Sequence, residues 1–270
     1  MKLTNLNFHQ TFPPDVYMLS LLITSDVYDR PLSKEEISQM TGIPTGKSSG
    51  KVEPDIAYAK YMGLLNDNLV DGKHLLSLTP LGEKILAEDP GIREEITVLV
   101  CYLRMTSIFG GAPLWETIMS ELLYKDSRGI SNATIEEFLQ KESTAKINFG
   151  PFYSSFADGA FSSLGLLERS ASSIRLIKQS YNADFVFAYA YILFREWELT
   201  YPQRDELTAN EIEGLYAFHS IGWKEREVYS ALECFHEKGL VRFNRQLTPY
   251  TIIKLDSSEN LISKLYDELC

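Results

Sequence analysis

The 270-residue chain is 44% hydrophobic and 23% charged, a globular composition long enough for one large core or two to three small ones without disulfide staples. Its net charge of −11 weighs against tight non-specific binding to nucleic acid while leaving room for a local basic face. No run approaches the roughly eighteen uninterrupted apolar residues of a membrane span, and the opening MKLTNLNFHQTF lacks the apolar stretch of a secretory signal, so the expected location is cytoplasmic with no membrane partner.

In chain order, the first clear helix start is Ser33, which makes a capping box with Glu36 ahead of Ile37 and Met40 on one face. It leads into GIPTGKSSGK, residues 42–51, whose Gly46-Lys47-Ser48 has the ending of a phosphate-binding P-loop. The spacing is one residue short, because Thr41 stands where the first glycine belongs, and a helix rather than a buried strand precedes it. The stretch therefore reads as a turn between two helices. AKYMGLLND carries the next helix to Gly63, followed by a strand in HLLSLT and a closing helix in LTPLGEKILAED. Residues 92–126 read as two helices broken at Gly110, Gly111 and Pro113, the first apolar nearly all round. A second unit runs from Ser131 in SNATIEEFL through FSSLGLLERS, where a helix is expected to end at Gly165, to a strand in SIRLIKQS. Residues 183–200, ADFVFAYAYILFREWELT, form an aromatic-rich helix that ends before Pro202. A third unit opens on a Thr208–Glu211 capping box and runs through CFHEKGLVRF, around Gly239, to a strand in YTIIKL.

From Ser33 to Gly63, Ser131 to Gly165 and Thr208 to Gly239 the separations are 30, 34 and 31 residues, and each glycine is followed by two apolar residues. Helix, turn, helix, Gly-apolar-apolar and β-ribbon is the order of a winged helix-turn-helix. The expected fold is mainly α with small β-ribbons: two to three winged helix-turn-helix-like units around a helical scaffold. The units span 1–90, 128–180 and 204–270, with a helical scaffold at 91–127 and the aromatic helix at 181–203.

The stretches NFHQTFPPDVYMLSLLI, GIPTGKSSGKVEPDIAYAKYMGLL and LSLTPLGEKILAEDPGIREEITVLVCYLRM resemble the bacterial family known as domain of unknown function 4007. The likeness runs over most of the chain and is most specific in the first 120 residues, where Phe8, His9, Phe12 and Pro13 match an F-H-x-T-F-P start. The chain departs from that start in having Pro13-Pro14-Asp15 in place of a basic residue, which argues against a phosphate contact there. Genes of this family tend to lie beside phosphoadenosine-phosphosulfate-reductase-like proteins and DNA-modification or phage-defence genes. The resemblance thus implies a DNA-associated accessory role with such a reductase-like protein as partner, and assigns no catalytic residues.

Cys101, Cys234 and Cys270 are far apart and odd in number, which argues against a disulfide framework or a cysteine-rich zinc site, and Cys101 reads as core. His9, His74, His219 and His236 form no H-x-x-x-H or H-E-x-x-H pair, and G-x-S-x-G is absent, so no enzyme, metal or cofactor chemistry is expected. His9, Trp115 and Trp223 read as packed structural residues. A nucleic-acid face would draw on turns and ribbons: Lys47, Ser48 and Lys51 with Lys60 and Tyr58 in the first unit, diluted by Glu53 and Asp55. The second offers Arg169, Arg175 and Lys178 beside Asn148, Tyr153, Ser154, Ser155 and Ser162. The third offers Arg242, Arg245 and Lys254, while its helix WKEREVYSALECFHEKG is acidic. The expected duplex-DNA contacts are Lys47, Ser48, Lys51, Lys60, Arg169, Arg175, Arg242 and Arg245; the plain alternative is that these charges are solvated faces. Two functions follow: a non-enzymatic DNA-binding accessory protein of a bacterial modification or defence system, or a protein adaptor that docks on a partner modification enzyme without touching DNA. Nucleotide binding by TGKSSGK is a minor third.

Overall fold

A computed structural model describes residues 3–46, 50–143, 146–246 and 249–269. The chain is mainly α, with antiparallel sheets of two or three short strands. In the first module α1 (Val16–Thr24) starts on the Asp15 side chain, which accepts from the Tyr17 N–H. α2 (Lys34–Thr41) starts on the reciprocal Ser33–Glu36 box and stops at left-handed Gly42, φ 77°. α3 (Val52–Tyr61) leads through left-handed Gly63, φ 76°, into the hairpin of β1 (Leu65–Val70) and β2 (Lys73–Leu78), and α4 (Pro80–Glu88) follows on the Thr79 cap. Asp71 and Gly72 both take positive φ, as a two-residue hairpin turn requires. Bridges from Tyr28 and Leu32 to Leu76 and His74 attach the segment ahead of α2 to β2.

α5 (Glu95–Met105) is buried nearly all round, and the chain breaks at Gly111, where a Cβ would come within 2.3 Å of the Ser107 carbonyl. α6 (Pro113–Trp115), a π-helical stretch Glu116–Leu122 and α7 (Leu123–Lys125) then form one continuous helix. The middle module comprises β3 (Ile130–Ser131), α8 (Asn132–Glu142), α9 (Gly150–Ala157), a 3-10 turn Ser162–Leu164 and the hairpin β4 (Leu167–Arg169) and β5 (Ser173–Leu176), with β5 central. The aromatic stretch becomes a 3-10 turn and then α10 (Val186–Thr200). The last module has the same strand, two helices and hairpin but sets its 3-10 turn between the helices: β6 (Glu206–Thr208), α11 (Ala209–Glu213), a 3-10 turn His219–Ile221, α12 (Glu225–Glu237), β7 (Val241–Asn244) and β8 (Thr251–Lys254), with β8 central. α13 (Ser258–Ser263) packs back on α10.

Gly63, Gly165 and Gly239 all take positive φ before a strand. In the outer two modules the helix closes alike: Leu64 N–H donates to the Ala59 carbonyl and Leu240 N–H to that of Phe235, both at 2.8 Å. In the middle module the expected helix into Gly165 is only a 3-10 turn, because α9 ends at Ala157 and the chain doubles back through Gly159. Two side chains expected on outward helix faces are buried. Tyr58 donates its hydroxyl to the Phe12 carbonyl at 2.9 Å, and Ser155 accepts from Trp115 Nε1 at 3.1 Å.

Trp115 joins the modules: Phe8, His9, Tyr58 and Phe152 all pack their rings around it, at centroid distances of 5.7 to 5.8 Å. Trp223 is likewise buried and donates to the Gln179 carbonyl at 2.9 Å, so His9, Trp115 and Trp223 are packed as the sequence implies. Cys101 is core. Among the described residues no helix is long and apolar enough to cross a membrane.

Candidate nucleic-acid interface

Lys47 and Ser48 lie outside the described residues. Lys51, just ahead of α3, donates its backbone N–H to the Pro44 carbonyl at 2.8 Å and holds the Asp15 carboxylate at 3.2 Å. Asp15 is therefore what occupies Lys51. Beneath them Asp55 is buried, and neither carboxylate oxygen has a hydrogen-bond partner among the described residues. Burial pushes its carboxyl up to about 7; Lys51 opposes this and Asp15 adds to it. Asp55 is thus no surface acid diluting a basic face. Lys60 is exposed and donates to the Asp67 carbonyl at 3.3 Å.

On the middle hairpin, strand pairing sets Glu168 directly across from Arg175, so the two point to one face and pair there. Arg169 points to the other face, its guanidinium 4.1 Å over the ring of Tyr153 from α9. In the last module Arg242 is exposed and makes no ion pair among the described residues, whereas Arg245 pairs with Glu233 of α12 at 3.3 Å. Lys254 turns inward, only 8% exposed, against Glu198 at 3.0 Å, and so leaves the basic face that the ribbon sequence suggested. The local basic runs are thus largely neutralised by acids that are distant in sequence.

The structure does gather one set of cations. Arg175 of β5 and Lys178 just after that strand line an open cavity of about 530 Å³ together with Lys224 at the start of α12. Leu123, Tyr124 and Leu176 supply its apolar wall. Lys178 pairs with Glu227 at 2.6 Å, and both partners are part exposed. The Lys224 ammonium donates to the Tyr124 carbonyl at 2.8 Å and sits 3.0 Å over the Tyr124 ring; burial holds it below the usual lysine range. On its other side Tyr124 stacks on His219, centroids 3.5 Å apart and planes within 10°. Burial depresses His219 to about 4, so the imidazole is neutral at pH 7, the Ser120 carbonyl working against that shift. Its Nδ1 is buried and has no hydrogen-bond partner among the described residues.

Sequence reasoning names Arg175 and misses Tyr124, Lys224 and His219 as a group. Lys224 is one cation in an acidic helix, and Tyr124 reaches it only because the π-helical stretch ends beside the 3-10 turn that carries His219. A Lys beside a Gly-Trp turn is the signal present in IGWKERE, but it carries no indication of the ring it covers.

No family model matches the chain, and no curated protein does. Two solved structures are similar in fold. A crystal structure of SspB superposes with a TM-score of 0.77 at 14% identity, covering 98% of this chain and 89% of that one. A magnesium ion-bound crystal structure of SspB gives 0.75 at the same identity and coverage. At that identity the likeness is one of fold.

Proposed function

We propose that the chain is a DNA-binding accessory protein of a bacterial DNA-modification or phage-defence system, and that it grips duplex phosphates at the junction of its middle and last modules. The observation that carries the reading is the cavity where Arg175, Lys178 and Lys224 meet beside the Tyr124 ring. Arg175 is held by the exposed Glu168 and Lys178 by the part-exposed Glu227, pairs at the surface for which a phosphate can compete. Arg169, Arg242 and Arg245 of the later modules, and Lys47, Ser48, Lys51 and Lys60 of the first, complete the proposed contact set. The recurring order of short strand, two helices and hairpin, with the first strand paired to the second hairpin strand, supports winged helix-turn-helix units. The resemblance of the first 120 residues to the domain of unknown function 4007 family supports the modification or defence setting.

Among the described residues no three His, Cys, Asp or Glu side chains gather as for a metal ion.

The adaptor reading rests on a separate observation, the pairing of Lys51, Arg175, Arg245 and Lys254 with acids in a chain of net charge −11. Titration with labelled duplex DNA at low salt separates the two. Saturable binding that weakens with salt, and by about tenfold or more in Arg175→Ala with Lys178→Ala, supports DNA contact. No binding by the wild type, with a stable complex formed on a reductase-like protein, establishes the adaptor. Repeating the titration with Mg²⁺ and running the DNA on a denaturing gel tests the accessory role, since cut strands would overturn it.

A further inference from the structure

A second cavity, of about 300 Å³, adjoins the cationic one of about 530 Å³, and Lys224 and Tyr124 line both. The Lys224 ammonium, bonded to the Tyr124 carbonyl and seated over the Tyr124 ring, makes these two residues one shared wall. The second cavity is floored by Ile212, Leu215, Phe218 and Trp223, all buried, and Trp223 Nε1 is already spent on the Gln179 carbonyl. Its polar side chains, the shared wall aside, are acceptors: Glu213, Glu225 and His219. His219 is neutral at pH 7, and its buried Nδ1 has no hydrogen-bond partner among the described residues. A neutral imidazole protonated on Nε2 offers that Nδ1 as a lone pair. Charge and polarity are thus sorted across one wall: Arg175, Lys178 and Lys224 on one side, an apolar slot edged with acceptors on the other.

We propose that, with a phosphate held in the cationic cavity as read above, the second cavity takes the base of the same nucleotide, its ring against Phe218 and Trp223 and its amino group donating to Glu213 and His219. A grip on duplex backbone needs only cations at a surface, whereas an apolar cavity of this size beside them is large enough for a purine. A lipid chain would fill the apolar floor and leave the acceptors unpaired. Adenine, cytosine and guanine each bring an exocyclic amino group, and a glutamate accepts from such a group when it reads cytosine. Thymine has none. Acceptors on one side of the wall and cations on the other match the polarity of a nucleotide, amino-bearing at the base and anionic at the phosphate. Two sources present this chemistry: a nucleotide turned out of bound DNA, and a free nucleoside monophosphate.

The test is fluorescence anisotropy on the full chain at low salt, with labelled duplexes that are perfect, carry one bulged A, C, G or T, or carry one bulged abasic site. The abasic bulge keeps the bent backbone and loses the base. At least one amino-bearing bulge should bind about tenfold tighter or more than the abasic bulge, with the T bulge no tighter than the abasic one. Val228→Trp, which fills the cavity from its wall, should remove that gain. Wild-type chain that binds the perfect duplex, and binds base-bearing and abasic bulges equally, overturns the base cavity and leaves the phosphate grip standing. A T bulge that binds as tightly as the amino-bearing ones also overturns it. No binding of any duplex sinks the DNA reading, and calorimetry with dAMP, dCMP and dGMP then decides the cavity: saturable binding assigns it to a free nucleotide, and none overturns it.

Discussion

The Lys51 ammonium lies 3.2 Å from the Asp15 carboxylate, and this one ion pair ties the turn ahead of α3 to the first turn of α1. Asp15 has two tasks, since it also caps α1 by accepting the Tyr17 N–H at 3.1 Å. The tasks separate by substitution. Asp15→Asn keeps an oxygen for the cap and loses only a part-exposed ion pair, so it should cost under about 1 kcal/mol. Asp15→Ala loses the cap as well, for about 1 kcal/mol more. Urea denaturation of both variants checks the difference. If the turn touches phosphate, Asp15→Asn should also tighten low-salt DNA binding, because Lys51 is released.

Asp55, one turn further along α3, sets a pH dependence. Its carboxyl titrates at about 7 in the folded chain because burial disfavours the charge, against an ordinary value of 3.8 in the unfolded chain. Between those values the folded state holds the proton and the unfolded state does not, so this group's contribution falls as pH rises from about 4 to 7 and then levels off. Asp55→Asn removes the penalty of the buried charge. The variant should gain on the order of 1–2 kcal/mol over the wild type at pH 8, with the gap closing towards pH 4–5. Guanidinium melts at the two pH values measure it, and a gap that widens on acidification would show that Asp55 is ionised and paired.

Local signals in the sequence survive folding well. The Ser33–Glu36 and Thr208–Glu211 boxes both form, because a capping box needs only residues three apart. Gly63, Gly165 and Gly239 each take the left-handed conformation that their position before a strand implies. What fails to show is whatever depends on residues far apart. Glu168 and Arg175 are seven residues apart and become neighbours only through antiparallel register. Lys254 loses its place on a basic ribbon to Glu198, fifty-six residues away. Tyr58, Asp55 and Ser155 look like outward helix positions because α3 and α9 lack a strong apolar stripe, yet both helices are covered on more than one side. A charge count along the chain therefore overstates the basic surface.

Gly42 and Gly63 have nearly the same φ, 77° and 76°, in different surroundings. A Cβ on Gly42 meets nothing within 4 Å, while one on Gly63 comes within 2.9 Å of the Arg104 guanidinium. Gly42→Ala should thus show the backbone cost alone, about 1–2 kcal/mol. Gly63→Ala should cost more, since Arg104 must move from its 2.7 Å bond to the Tyr191 hydroxyl. Thermal melts rank the two, and equal costs would mean that Arg104 yields without losing Tyr191.

Glu198 and Glu233 each accept from a basic residue of the last ribbon, but at different depths. Glu233 pairs with an Arg245 side chain that is 64% exposed, so Glu233→Gln should change stability by less than about 0.5 kcal/mol. Glu198 holds the nearly buried Lys254 and also accepts from the backbone and hydroxyl of Ser258, the first residue of α13. Burial raises its pKa, but Ser258 and Lys254 outweigh burial and hold it below the usual range. Replacing it leaves a nearly buried ammonium with the Asp256 carbonyl, at 3.2 Å, and a single more distant carboxylate, Asp205 at 3.6 Å, and loosens the seat of α13 on α10. Glu198→Gln should therefore cost on the order of 2–3 kcal/mol at pH 7. The folded pKa is depressed, so this contribution is present above the unfolded value and is lost as pH falls through the folded one, and the two curves should meet in acid. Hydrogen exchange locates the effect: α13 amides should lose protection in Glu198→Gln and keep it in Glu233→Gln, and unchanged α13 protection would show that Glu198 does not anchor that helix.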